Sequence, residues 1–198
     1  MKIGLISDTH GNTAAIDQAV ELAGEIDLWL HAGDMIHDAE YLDMAYDAKV
    51  VNVAGNCDWG NRSVPEEEVV EAEGHRIFLT HGHIYGVKGS PYGMVQAAEE
   101  NGADIAVFGH SHVAFKEKID GVLLINPGSL AYPRDGGGQS FMVLELHEGA
   151  EPEIYHYHLE DRRKEDKSAK EGKGKKREKW FGLFLNNMYI IYCTNSRL

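Results

Sequence analysis

"KIGLISDTHGNTAAIDQAVELAG", residues 2–24, reads as one strand–loop–helix unit. Residues 2–7 form a short apolar run suited to a buried strand, and 13–24 place apolar residues at amphipathic-helix spacing before stopping at Gly24. The loop between them carries Asp8 and His10. Working outward, the pattern recurs. "DLWLHAGD" (27–34) precedes a helix near "AEYLDMAYDA" (39–48), and "KVVNVAGN" (49–56) and "RIFLTHG" (76–82) read as further strands. "PYGMVQAAEENG" (91–102) opens with Pro and closes with Gly, as a helix does. Four more strands then follow: "DIAVFGH" (104–110), "GVLLINPGS" (121–129), "SFMVLELH" (140–147) and "EIYHYHL" (153–159). Helices between the early strands imply parallel crossovers, whereas the closely spaced late strands imply hairpins or a second sheet. The expected fold class is α/β, a sandwich with mixed sheets.

Composition bounds the rest. A chain of 198 residues, 43% hydrophobic, buries one substantial core. Its net charge of -13 argues against stable nucleic-acid binding, which needs a basic face. The charge is uneven: residues 161–198 carry 11 Lys and Arg against 5 Asp and Glu, so residues 1–160 are far more acidic than the whole. The expected organisation is therefore a domain over 1–160 and, over 161–198, a solvated charged linker followed by the apolar "WFGLFLNNMYIIY". Docking onto the body, contact with a second subunit and contact with a membrane surface all suit that last segment. It is too short for a transmembrane span, which takes about 20 residues. Two cysteines exclude a disulfide framework, and no signal-peptide pattern opens the chain, so a cytoplasmic location is expected.

The chemistry lies in position. Asp8 and His10 follow the first apolar run, Asp34 the second, Asn56 the third, His81 the fourth, and His110 with His112 the fifth. Loops at the carboxyl ends of strands converge on one crevice in an open α/β sheet. A single histidine at a strand end is more often a hydrogen-bonded surface or core residue than a ligand. Turn preference, however, does not explain four histidines, two aspartates and an asparagine at five consecutive strand ends. Carboxylates with imidazoles suit divalent Mn, Fe, Zn, Co or Ni. Seven donors exceed one tetrahedral ion, and two ions sharing a carboxylate would employ them all.

The blocks "SDTHGN", "HAGD", "AGNCD", "LTHGH" and "GHSH" resemble, in order and spacing, the signature of the calcineurin-like metallophosphoesterases, in particular their small single-domain bacterial and archaeal phosphodiesterase branch. The resemblance covers about residues 1–158. It implies an αββα sandwich of two mixed sheets flanked by helices. It also implies that Asp8, His10 and His112 hold one metal, that Asn56, His81 and His110 hold the other, and that Asp34 bridges them. Manganese is the expected ion, with Ni, Fe, Co, Zn or Mg as alternatives. His110 and His112 are expected to project to one side of an extended segment, where side-chain direction has a period of two.

The implied activity is hydrolysis of small phosphodiesters or nucleotides by a metal-activated hydroxide, without a phosphoenzyme. Many relatives have Asn-His in the third block, with the histidine placed to protonate the leaving group; here Cys57 follows Asn56. A neutral thiol is a poor substitute, which predicts a bias toward good leaving groups or a different donor, with Asp58 and His83 as candidates. Gly128, Ser129 and Arg134 suit either an expected rim that offers backbone N–H groups and a cation to an anion, or a Pro-Gly turn between strands with an exposed arginine. Tyr155/His156 and Tyr157/His158 suit an edge strand or an interface, and a homo-oligomer is expected. Two rival readings share the fold: a phosphomonoesterase, and a non-catalytic scaffold for partner proteins such as the eukaryotic retromer subunit with this fold. A degraded scaffold site should lose ligands, and all seven positions here carry coordinating side chains.

Overall fold

Alternation of side chains across two sheets organises the molecule into layers. The computed structural model describes residues 1–159, and the expected linker and tail over 161–198 lie outside the described residues. One sheet has the order β10-β9-β1-β2-β3, built from β1 (Lys2–Ile6), β2 (Leu28–His31), β3 (Val50–Asn52), β9 (Ser140–Glu145) and β10 (Glu153–His158). The other has the order β4-β5-β6-β8-β7, built from β4 (Glu67–Ala72), β5 (His75–Thr80), β6 (Ile105–Val107), β7 (Phe115–Ile119) and β8 (Val122–Asn126).

Both sheets are mixed. Strands joined through helices pair in parallel, β1 with β2 and β2 with β3, as does β5 with β6. The late strands pair antiparallel, β7 with β8 and β9 with β10. This is the expected division between crossovers and hairpins.

The period of two sorts side chains between layers. Ile3, Leu5, Ile77, Leu79, Leu123 and Ile125 face inward and fill the space between the sheets. Their neighbours Ile6, Phe141 and Val143 face outward under α1 (Thr13–Ala23) and α2 (Ile36–Tyr46), with Ala15, Ile16, Ala19 and Leu42. Phe78, Ala106 and Leu124 face outward on the second sheet against Met94, Val95 and Ala98 of α3 (Tyr92–Glu100). The molecule is thus helix, sheet, sheet, helix.

Sequence reading missed two strands, β4 and β7, and both are sheet edges. "EEVVEA" and "FKEKI" interleave charges with apolar residues. Charge on an edge discourages pairing with another chain, and it also hides the strand from a search for apolar runs. Helix α2 starts at Ile36, three residues before the expected Ala39. The Asp58 carboxylate explains the earlier start, because its Oδ1 accepts from Met35 N at 3.0 Å and Ile36 N at 2.9 Å, satisfying two N–H groups that a helix start leaves unpaired.

Asp58→Ala should therefore destabilise the fold by about 2 kcal/mol, the upper range for loss of a helix cap. Urea unfolding measures this, and an unchanged midpoint would show that the Asp58 contacts carry no stability.

Candidate metal centre

All five donor-bearing loops lie at carboxyl ends of strands, and their side chains meet. Donor atoms of Asp8, His10, Asp34 and His112 lie within 4.8 Å of one another. Around His81 Nε2 gather Asn56 Oδ1 at 3.2 Å, His110 Nδ1 at 3.2 Å and Asp34 Oδ1 at 3.3 Å. Asp34 belongs to both groups, with its Oδ2 3.6 Å from His10 Nε2. All seven expected donors are thus brought together, with Asp34 between two clusters.

Two backbone carbonyls decide what the histidines offer. His81 Nδ1 donates to Ala32 O and His112 Nδ1 to Tyr132 O, each at 2.8 Å. A carbonyl only accepts, so the proton of the neutral ring sits on Nδ1 and a lone pair on Nε2. That lone pair of His112 faces Asp8 Oδ1 at 3.1 Å, and Asp8 Oδ1 and His10 Nε2 are both buried with no hydrogen-bond partner among the described residues. Acceptors turned toward acceptors repel unless a cation lies among them. The donor set therefore fits divalent metal ions, with imidazoles oriented from outside as metal-binding histidines are.

The charges agree. Burial pushes the Asp8 pKa up, but the hydrogen bond that His112 donates once its ring is protonated, the field of His81 and the hydrogen bond from Ser7 outweigh it and hold the carboxyl below its ordinary range. A proton on Nε2 would make His112 a donor to Asp8, which draws the His112 pKa upward, so a proton can stand where a cation would. Burial, reinforced by His81 and Lys88, lowers His110 to about 4, leaving it neutral and able to coordinate.

The backbone is bent to achieve this. Asp8, His10, Asp34, His110 and His112 all have positive φ, between 42° and 64°. Such conformations cost non-glycine residues about 1–2 kcal/mol each and gather at functional sites. The expected extended segment from His110 to His112 is thereby corrected: β6 ends at Val107, and left-handed turns, not strand alternation, aim the two rings. Two glycines leave room. A Cβ on Gly55 would fall onto Asp34 Oδ1, and one on Gly109 onto Ser7 Oγ and Asp8 Oδ2.

The remaining expected residues divide. His83 joins the site, its ring 5.4 Å from that of His81 and its Nδ1 buried with no partner among the described residues. Burial and the neighbouring His81 lower its pKa. Cys57 lies beside Asn56, with its N–H on Asp34 Oδ1 at 2.9 Å; burial and a hydrogen bond with Asp34 push its thiol up to about 11. Asp58 faces away, with Oδ2 accepting from Gly55 N at 2.8 Å beside its two contacts to α2. On the expected rim, the Gly128 N–H is taken by Asn126 Oδ1, which corrects its role as an anion donor. Ser129 Oγ instead donates to Asp8 O at 2.8 Å.

Sequence reasoning passed over three supports. Ser7 Oγ donates to Asp8 Oδ2 at 2.6 Å, and Asn126 Nδ2 to Gly109 O at 2.8 Å. His31, in the quoted "HAGD", is fully buried with Nε2 3.1 Å from Thr9 Oγ1. A further histidine three residues before Asp34, in a block already singled out, was the available signal.

Comparison with known proteins identifies relatives of this chain. The family model described as the calcineurin-like phosphoesterase superfamily domain matches residues 1–149. "Probable metallophosphoesterase YsnB" of Bacillus subtilis is 37% identical over 151 residues, 76% of this chain and 87% of that protein. "Phosphodiesterase YfcE" of Escherichia coli is 30% identical over 171 residues, 73% of this chain and 88% of that one. Among solved structures, Vps29 of Entamoeba histolytica, determined in complex with Zn²⁺, superposes with a TM-score of 0.67 at 25% identity, covering 81% of this chain and 94% of its own.

Burial holds His31 at about 4. Its folded pKa lies below its unfolded one, so the unfolded chain binds the extra proton and stability falls as pH drops from about 6.5 to 4. The expected loss is about 3 kcal/mol, read by urea unfolding across that range. His31→Gln should remove most of this contribution, and an unchanged slope in the variant would assign the loss elsewhere.

Proposed function

The chain belongs to the calcineurin-like phosphoesterase superfamily and is a metal-dependent phosphoesterase, and we propose that it is a dinuclear phosphodiesterase acting on small phosphodiesters or nucleotides. The observation that carries this reading is the convergence of seven donors in two groups that share Asp34. Asp8, His10 and His112 would hold one ion, Asn56, His81 and His110 the other, and Asp34 both, with manganese the expected metal. When bound, the ions supply Lewis acidity toward phosphate oxygens and a hydroxide near neutral pH.

The protein's own groups bind and orient. Arg134, exposed and tied to His112 by its backbone N–H on His112 O, offers a cation to the phosphate. Tyr132 is exposed and lays its ring 5.3 Å from that of His10, where it can cover one ester arm. Leaving-group chemistry falls to His83. Asp58 accepts three backbone N–H bonds as a carboxylate and acts as a positioning residue. The Cys57 thiol is too weak an acid and is engaged with Asp34. His83 donates as its imidazolium, a form that its lowered pKa makes scarce near neutral pH, which predicts a bias toward good leaving groups. All seven donors belong to one chain, so ligation does not require the expected self-association. A cytoplasmic location belongs to the same proposal. The scaffold reading is disfavoured by the intact, inward-facing donor set.

Chelator-stripped full-length protein, with and without Mn²⁺, tests this on bis(p-nitrophenyl) phosphate beside p-nitrophenyl phosphate. Metal-restored turnover led by the diester is expected. A lead for the monoester would favour the phosphomonoesterase, and no turnover despite measured metal binding would overturn the enzyme reading. Asp34→Asn should cost more than the roughly 100-fold that loss of an outer hydrogen bond costs a metal site. Cys57→His should narrow the gap between aryl and alkyl leaving groups, and an unchanged gap would remove Cys57 from the explanation.

A further inference from the structure

On the side of the sandwich where the edge strands β7 and β10 lie, inward-facing positions change from apolar to basic. Antiparallel partners point to the same face of a sheet. Lys116 and Lys118 on β7 stand opposite Ile125 and Leu123, and His156 on β10 stands opposite Met142, all three partners belonging to the core between the sheets. These side chains therefore enter the seam from both sheets. His158, two residues beyond His156, shares its face, and the two rings are 4.3 Å apart.

Along this seam the basic groups are unequally matched. Lys118 Nζ pairs with Glu151 Oε2 at 3.7 Å. Among the described residues, Lys116 Nζ is buried without a hydrogen-bond partner, and so is His156 Nε2. Asp135 is the carboxylate acting on both histidines. Its oxygens are occupied, Oδ2 accepting from Ala114 N at 3.1 Å and Oδ1 from Gly137 N at 2.8 Å. The loop carrying it closes over the seam, with Gly137 so near the His158 ring that a Cβ there would lie 3.0 Å from its Cε1. Leaving a buried ammonium and a buried ring nitrogen unpaired costs free energy that an acceptor would recover.

We propose that this seam is a binding site for a small oxyanion, a phosphate or carboxylate group, held by Lys116 Nζ and the imidazoles of His156 and His158. An oxyanion supplies to Lys116 what Glu151 supplies to Lys118, and its further oxygens accept from the two rings. A cation does not suit the site, because Lys116 repels it. None of these residues is among the seven metal donors. Burial, with the charges of His158 and Lys116 beside it, holds His156 near pKa 4; a bound anion would raise that value. The loop above the site also bears on the metal centre, since Tyr132 O fixes the His112 tautomer and Arg134 N donates to His112 O at 2.9 Å. Occupancy would brace this loop from below.

The test uses the full chain loaded with Zn²⁺ and follows ring carbon–proton NMR signals of His156 and His158 during titration with sodium phosphate, sodium acetate or, at matched ionic strength, sodium chloride. These reporters respond at the seam, so phosphate on the metal ions does not mimic the result, and no turnover is needed. Saturable shifts with phosphate or acetate but not chloride are expected, and the arm that saturates at lower concentration identifies the group. Lys116→Met should weaken the response at least tenfold without lowering the melting temperature, and His158→Gln, followed at His156, should weaken it independently. No saturation with either anion, or an unchanged response in Lys116→Met, would overturn the proposal and leave the basic seam as a guard against edge pairing.

Discussion

Everything at the site depends on two hydrogen bonds that fix ring protons away from the centre. His81 and His112 give their Nδ1 protons to Ala32 O and Tyr132 O, and only then do their Nε2 lone pairs face Asp34, Asn56 and Asp8. Both carbonyls come from loops after strands or from the loop packed over them. The sandwich thus does more than bring the donors near. It sets which atoms present electrons, and so creates a demand for positive charge at the crevice.

That demand has a structural cost spread over several elements. Five of the seven donors sit in left-handed backbone, and Asp8 is held by Ser7, by the His110 N–H and by Ser129 beneath its carbonyl. Glycines at 55 and 109 let neighbouring loops close onto the carboxylates. Strain of this kind persists where the surroundings over-determine it, and here four packed layers do so. Cations bound at the centre would also offset locally the acidity of residues 1–160, through which an anionic substrate must approach.

The strand–helix order and the seven donors were legible because each donor follows an apolar run, and strand ends are where such a fold collects its ligands. Edge strands β4 and β7 were not, since their charges disguise the alternation. Nor were the left-handed turns at His110 and His112, because a spacing of two suits strand and turn alike. Asp58 looked like an acid near the site, and only its contacts with α2 and Gly55 show it anchoring a helix. Lys116 and His156 lie 40 positions apart on different sheets, so their common seam appears only once both registers are known.

The most direct measurement of the central claim is metal stoichiometry with spectroscopy: Mn²⁺ content per chain after loading and gel filtration, and the electron paramagnetic resonance spectrum of the same sample. A shared Asp34 requires two ions per chain with an exchange-coupled spectrum. One ion per chain, or two with the spectrum of isolated Mn²⁺, would contradict a bridged pair.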